Sequence, residues 1–251
     1  LALDQYGTMS LGEVLAPAID LAERGFAVHP EFKMHIEEQE QRFRSEWTTS
    51  GKIFLPNGKV PEIGDLFVQA DLARTLRRLV GAEAAHQEGG RSAGLKAACD
   101  LFYTGEMAEE IVAFQKSFKS QDANGFESAG LLEVEDLAGF HSRIEEPTRT
   151  TYRGIDVYKA GFWTQGAVLL QALNIVEDYD LQALGHNSPG YIHLLAEAMK
   201  LAFADREWYY ADPDFVGVPQ QGLLSKEYAA KRRDLIDLEH DSTTLRPGNP
   251  Y

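Results

Sequence analysis

Ser188-Pro189 opens the stretch that most constrains the fold. Serine is a preferred helix N-cap, and proline at the first helical position lacks only an N–H that has no partner inside the helix. Ile192, Leu195, Ala196, Met199, Ala202 and Phe203 then recur at helical spacing, which predicts one apolar face running to about Trp208. The rest of the chain repeats this pattern. Ser10-Leu11-Gly12-Glu13 forms a capping box, Leu11, Val14, Leu15, Ala18, Ile19 and Ala22 follow at the same spacing, and Gly25 supplies the stop. Pro17 falls inside that helix and is expected to remove a donor and bend it.

Pro30 begins a second helix to about Glu46, with Phe32, Ile36, Phe43 and Trp47 inward and a solvated charged face from Glu37 to Glu46. Asp71 fits the N-cap of another, with Leu72, Thr75, Leu76 and Leu79 following. Arg74, Arg77 and Arg78 are expected to pair with surplus acids. Further helices are predicted over Ser92 to Tyr103, Gly105 to Phe118, Glu133 to Phe140, Gln165 to Tyr179 with Thr164 as cap, and Ser225 to Leu238 with Tyr228, Arg232 and Leu235 in line. Gly51 to Asp65 and Gln121 to Gly130 carry loop chemistry. Arg149 to Arg153 and Ile155 to Tyr158 flank Gly154 and read as the clearest strands, a hairpin or bent ribbon. The fold class is therefore α+β: a mainly helical segment with a minor β part. Residues 1–140 are expected to be mostly helical, 141–160 stranded, and 161–251 helical with a C-terminal loop.

Charge narrows the function classes. The formal net charge is −15, and such a surface repels phosphate, so a general nucleic-acid or anionic-membrane binder is disfavoured. No apolar run approaches the roughly 20 residues of a membrane span. A single cysteine, Cys99, allows no internal disulfide and no cysteine-based zinc site. Its apolar neighbours Ala97, Ala98, Leu101 and Phe102 suggest an inert core residue.

Each candidate for chemistry has an ordinary structural reading beside it. His193 and Glu197 are four apart on one helix face and have metal-ligand spacing, but zinc needs a third ligand. His186 lies across a proline-containing junction, so a hydrogen-bonded helix pair is the expectation. Asp205-Arg206, followed by Trp208, Tyr209 and Tyr210, suits either an active-site pair or a tie between a helix end and a loop, with Asp212 and Asp214 as nearby partners; the structural role is favoured. Ser188 and Thr164 already serve as caps, which makes them poor nucleophiles. The pairs Glu109/Glu110 and Glu145/Glu146 are expected in so acidic a chain without a function. No Gly-x-Ser-x-Gly elbow, P-loop or dinucleotide fingerprint occurs.

Several phrases in order resemble the γ-glutamyltransferase (γ-glutamyltranspeptidase) family. These are Tyr6-Gly7-Thr8-Met9-Ser10 with Leu15 to Phe26, Gly64-Asp65 with Asp71 to Leu76, Phe102 to Ala108, and Glu135 to Ala138. The strongest piece runs from Gly185-His186-Asn187-Ser188 through His193 and Glu197 to Arg206, then Asp212 to Val216. The resemblance covers nearly the whole chain and accounts for Pro17.

It implies an N-terminal-nucleophile hydrolase whose whole enzyme is an αββα sandwich. The precursor cuts itself into large and small subunits, and the new N-terminal Thr of the small subunit attacks a γ-glutamyl amide, with its own amine as base. By the same resemblance this chain is the later part of the large subunit. Its partners are then the remainder of the precursor, carrying the nucleophile, and γ-glutamyl small molecules. No cofactor or metal is implied, and no catalytic residue is expected within the segment. The first residue, Leu1, is not Met, which fits a piece of a longer protein. Thr243-Thr244 resembles the family's Thr-Thr-His context, but Leu245-Arg246-Pro247-Gly248 follows without the His. Both threonines are therefore rejected as nucleophile, and the true one is expected shortly downstream of Tyr251. Gly161-Phe162-Trp163-Thr164-Gln165-Gly166 stands where many members carry a Pro-Pro-Ser-Ser-Gly-Gly-like stretch, so the acyl group and acceptor stay open, and related acylases share the scaffold. A non-catalytic helical scaffold of the same fold is the alternative. Members of the family are often exported; the residues fix no compartment.

Overall fold

Ser10 caps the second helix as its sequence dictates. Its hydroxyl accepts the Glu13 amide at 3.1 Å, and Glu13 returns a carboxylate to the Ser10 amide at 2.8 Å. The structure, a computed structural model, describes residues 1–122 and 124–251, which form two units, Leu1–Arg143 and Ile144–Tyr251.

The first unit holds helices α1 (Ala2–Tyr6), α2 (Leu11–Arg24), α3 (Pro30–Ser45), α4 (Thr48–Phe54), α5 (Ala70–Ala85), α6 (Arg91–Tyr103), α7 (Glu106–Ser117) and α8 (Val134–Gly139). Strand β1 (Phe26–Ala27) pairs antiparallel with β2 (Leu66–Phe67). Helix α2 continues through Pro17. Gly25 ends it at φ +83°, a left-handed conformation that glycine adopts without strain. The buried Glu83 of α5 reaches the start of α2, where its carboxylate accepts the Leu11 and Gly12 amides at 2.7 and 2.9 Å. Those amides are orphans of the first turn, and the positive end of the helix favours the negative charge. Phe26, Phe32, Phe43, Phe54 and Phe67 pack ring to ring at centroid spacings from 5.0 to 6.4 Å.

Several local expectations change in this unit. Part of the expected loop 51–65 is helix: α4 includes the buried Gly51, against which the Phe43 carbonyl packs so closely that a Cβ would collide with it. Asp71 is not the N-cap of α5. Gln69 holds that position, and Asp71 pairs instead with Arg74 within the first turn. Arg77 meets Glu23 and Arg78 meets Glu110, so the three arginines do pair with acids. The expected loop 121–130 is largely a hairpin, β3 (Lys119–Gln121) with β4 (Glu127–Ala129). Ala123 lies outside the described residues. Cys99 is exposed rather than in the core. The buried face of α6 is Gly94, Leu95 and Ala98, and the next residue points about 100° away.

The second unit opens with the predicted hairpin, β5 (Thr148–Tyr152) and β6 (Ile155–Lys159), with Tyr152 opposite Ile155. Its two-residue turn puts Arg153 at φ +49° and Gly154 at φ +81°, the pair of positive φ angles that suits a tight hairpin. The Arg153 amide donates to Glu177 Oε1 at 2.8 Å, and its guanidinium reaches the Glu177 and Tyr179 carbonyls.

Helices α9 (Gly166–Val176), α10 (Leu181–Leu184), α11 (Pro189–Tyr209), α12 (Gln220–Leu224) and α13 (Lys226–Arg233) follow. The core joins Ile175 and Val176 of α9 to Leu194, Ala198 and Leu201 of α11 and Ala229 of α13. Helix α9 has Gln165 rather than Thr164 as N-cap and ends at Val176 rather than Tyr179, although the Thr164 hydroxyl still accepts the Gly166 amide at 3.0 Å. Helix α13 ends at Arg233 rather than Leu238, and Leu235 lies outside it. The α+β class holds: packed helices with three two-stranded antiparallel ribbons among the described residues.

Candidate functional site

Helix α11 starts where predicted, with Ser188 Oγ accepting the Tyr191 amide at 3.1 Å and Pro189 in the first turn. Its buried face differs from the expected one. Ile192 is exposed and Phe203 partly so, whereas Leu194, Glu197, Ala198, Leu201, Ala202, Ala204 and Asp205 are buried. Two carboxylates therefore point inward, two turns or about 12 Å apart along the helix. A buried carboxylate must be paired or protonated, and both receive donors from residues 242–248.

Glu197 is 1% exposed. Its Oε1 accepts Lys200 Nζ at 2.7 Å and the Ser242 amide at 3.1 Å, and its Oε2 accepts Arg246 Nη2 at 2.8 Å. Burial pushes its pKa up, but Lys200, the Ser242 amide and Arg246 together outweigh this and hold it below the ordinary value. Asp205 is fully buried. Its Oδ1 accepts the Gly248 amide at 2.9 Å and lies 3.2 Å from Arg232 Nη2, and its Oδ2 accepts Gln171 Nε2 at 3.1 Å. Here burial wins, and its pKa is raised despite the Gly248 amide and Arg232.

Residues 242–250 thus form a strap over α11, α12 and α13. Arg246 Nη1 donates to the Leu235 carbonyl at 2.8 Å, Arg232 donates to the Arg246 carbonyl, and Tyr209 Oη donates to the Gly248 carbonyl at 2.6 Å. A Cβ on Gly248 would collide with the Tyr228 hydroxyl, and one on Gly222 with the Pro250 carbonyl, so two glycines set how closely the strap lies.

On another side of the α11 end is an open cleft of about 640 Å³. Residues 162–165 line one wall, and Arg206, Glu207, Tyr210 and Asp212 line the other. Phe162 is buried and meets the Tyr210 ring edge-on at 4.7 Å. Tyr210 Oη donates to Gln171 Oε1, and burial, followed by the nearby Asp205 charge, raises its pKa. The Trp163 indole donates to Glu145 at 2.9 Å.

The other sequence candidates are placed apart from one another. His193 Nε2 lies 2.7 Å from the Asp237 carbonyl, so it and Glu197 have separate partners. His186 packs edge-on against Tyr191. Asp205 pairs with Arg232 rather than with its neighbour Arg206, which turns to Glu207 and the cleft. Glu110 is taken by Arg78, and Asp212 accepts the Asp214 amide at 2.9 Å in a turn. Thr243 and Thr244 are exposed. The sequence reading missed Arg232 and Arg246 as the cations of this site. The one available signal was that carboxylates on the buried side of α11 need counter-ions from elsewhere.

The model for the family described as Gamma-glutamyltranspeptidase matches residues 1–250. The chain belongs to the gamma-glutamyltranspeptidase family. The chain is 36% identical over 256 residues to the glutathione hydrolase proenzyme of Escherichia coli (strain K12), covering 100% of itself and 40% of that protein. It is 37% identical over 239 residues to the acylase ACY 1 proenzyme of Pseudomonas sp. (strain SE83), covering 95% of itself and 38% of that protein. The crystal structure of Helicobacter pylori gamma-glutamyltranspeptidase superposes with a TM-score of 0.79 at 32% identity, over 98% of this chain and 64% of that one. The chain thus spans about two fifths of the curated relatives' length, and its structural neighbours are N-terminal-nucleophile hydrolases. Among its described residues no helix is long and apolar enough to cross a membrane.

Proposed function

We propose that this chain is the later part of the large subunit of a γ-glutamyltransferase-like amidohydrolase, and that the N-terminal Thr of a small subunit supplies the nucleophile. The observation that carries this reading is a family match that runs unbroken from residue 1 to residue 250, together with relatives that are named proenzymes. The part played by these residues is structural. Helices α9, α11 and α13 form a packed wall, and the two inward carboxylates fasten the strap to it.

In the proposed reaction the Thr hydroxyl attacks the amide carbonyl of a γ-glutamyl group while the free α-amine takes its proton. Backbone donors stabilise the tetrahedral oxyanion. The amide C–N bond breaks, the amine leaves protonated, and an ester to Thr remains. Water then yields the free acid, or an acceptor amine yields a new amide. The steps of this sequence belong to the nucleophile's subunit, and the present segment supports them.

A related acylase acting on another amide is the second reading. It is supported by the 37% identity to the Pseudomonas acylase and by the divergent residues 161–166, of which 162–165 form one wall of the cleft.

The test is expression of the full-length precursor. It is expected to split into two subunits and to hydrolyse a γ-glutamyl anilide, and Thr→Ala at the new small-subunit N-terminus is expected to stop both. A precursor whose Thr→Ala variant still splits overturns the chemistry. One that splits but releases only glutaryl side chains decides for the acylase.

A further inference from the structure

We propose that Asp205 and Glu197 are positioning residues for self-cleavage of the precursor, because they clamp residues 242–248 and so fix the backbone that leads to the cleavage point. This rests on the proposed function, with the Thr that begins the small subunit taken to follow the strap in the precursor.

Two features of the clamp exceed what stability requires. Well-packed apolar residues stabilise a core at least as well as buried ion pairs, whose desolvation cost rivals their attraction. What a carboxylate adds is direction, and here the direction is toward the strap backbone and its one arginine. Glu197 holds the Ser242 amide and Arg246, and Asp205 holds the Gly248 amide. The second feature is redundancy. Tyr209 holds the Gly248 carbonyl at 2.6 Å, and the Gly248 and Gly222 contacts leave no room for a side chain. Pro247 fixes its own φ between Arg246 and Gly248.

The cleavage step needs such a hold. The Thr hydroxyl oxygen attacks the carbonyl of the residue before it. The peptide C–N bond breaks, an ester forms, and the Thr amine is freed and takes a proton. Water then hydrolyses the ester to a carboxylate and restores the hydroxyl. Attack requires approach to about 3–3.5 Å in the right orientation, and loss of that geometry costs orders of magnitude in rate. Every unanchored residue adds up to about 3.3–3.6 Å of reach and new freedom, so an anchor a few residues upstream limits the conformers the reacting segment samples.

The experiment compares full-length precursors: wild type, Asp205→Asn, Glu197→Gln, Tyr209→Phe, Gly248→Ala and Leu170→Ala. Leu170 is a fully buried α9 residue whose aliphatic side chain can form no hydrogen bond to the strap, and it serves as the stability control. Cleavage half-time is read on gels well below each variant's melting temperature, and Gly248 amide exchange is read by mass spectrometry. Asp205→Asn and Glu197→Gln are expected to lengthen the half-time tenfold or more, and Asp205→Asn also to expose the Gly248 amide. Tyr209→Phe is expected to act in the same direction by a smaller factor, and Leu170→Ala to stay within twofold of wild type. Where an acidic-site variant fails to fold, Gly248→Ala tests the same point by lifting the strap from its own side. Wild-type rates in the folded clamp variants, or equal slowing by Leu170→Ala, overturn the proposal. A wild-type precursor that never splits overturns the underlying reading and this inference with it, which separates the two failures.

Discussion

Asp205 and Gly248 are 43 residues apart in sequence and meet at 2.9 Å, the fully buried carboxylate accepting the glycine amide. Two turns earlier on the same helix, Glu197 holds the Arg246 side chain. The strap is therefore tied by charge, at two points, to the longest helix among the described residues.

The Glu197–Arg246 pair is expected to show strong coupling. Arg246→Met leaves Glu197 with only Lys200 and the Ser242 amide, at a cost of about 2–4 kcal/mol; this is discounted from a fully buried pair because 24% of the Arg246 side chain is exposed. Glu197→Leu combined with Arg246→Met is expected to cost less than the sum of the singles by at least about 1 kcal/mol. Urea unfolding of the four chains of the cycle measures this, and strict additivity would sink it.

Acid is expected to weaken the second unit through Glu197 and Glu177. Lys226 foremost holds Glu177 below its ordinary value of 4.5, and Glu197 is lowered by its three donors. Carboxylates with depressed folded pKa values contribute stability above 4.5 and lose it as pH falls through those values, because the unfolded chain then binds more protons. Asp205 works in the opposite sense. Its folded pKa lies above 3.8, so between the two values stability rises as pH falls. Glu197→Gln should therefore flatten the acid limb of a urea-midpoint profile as pH falls below about 4.5, and Asp205→Asn should steepen the limb above about pH 3.8. Profiles parallel to wild type would contradict both assignments.

The caps differ in worth. Ser188→Ala removes the bond to the Tyr191 amide and should cost about 1 kcal/mol. Asp71→Ala removes only an exposed contact with Arg74 and should stay within about 0.5 kcal/mol. Thermal unfolding of the two variants ranks them; equal losses would mean that Asp71 acts as a cap after all.

Cys99 should react with an aromatic disulfide reagent in the folded chain. One equivalent of thiolate is expected to be released before any change in circular dichroism, since the side chain is exposed. Release only after unfolding would restore the core placement.

Local signals are legible where cap and periodicity agree. Ser10-Glu13, Ser188-Pro189 and Gly154 each specify their element within a few residues, and helix α11 begins where those residues require. The buried face of α11 is not legible, because the sequence sets Glu197 beside His193 and Asp205 beside Arg206, whereas neither neighbour is the partner that lets the carboxylate be buried. Those partners, Arg246 and Arg232, lie 49 and 27 residues downstream, beyond any helical period. The β3–β4 hairpin is hidden for another reason. Lys119, Ser120 and Gln121 offer no apolar alternation; the ladder rests on backbone pairing, with Lys119 and Glu127 4.0 Å apart across the strands. Cys99 is misplaced by one residue of rotation, since apolar neighbours in sequence are not neighbours on a helix face. The candidate site is legible only as a family phrase; its wiring is tertiary.

The turn at Arg153-Gly154 sets local and distant preferences against each other. Asparagine would suit the left-handed first position better than arginine. Arginine is nonetheless present, and its side chain is fastened to carbonyls just past α9. An Arg153→Asn chain would own a better free-standing ribbon and a worse-moored one. The ribbon's orientation is thus inherited from the helix beside it, and substitutions at the end of α9 would be felt in a strand pair they never enter.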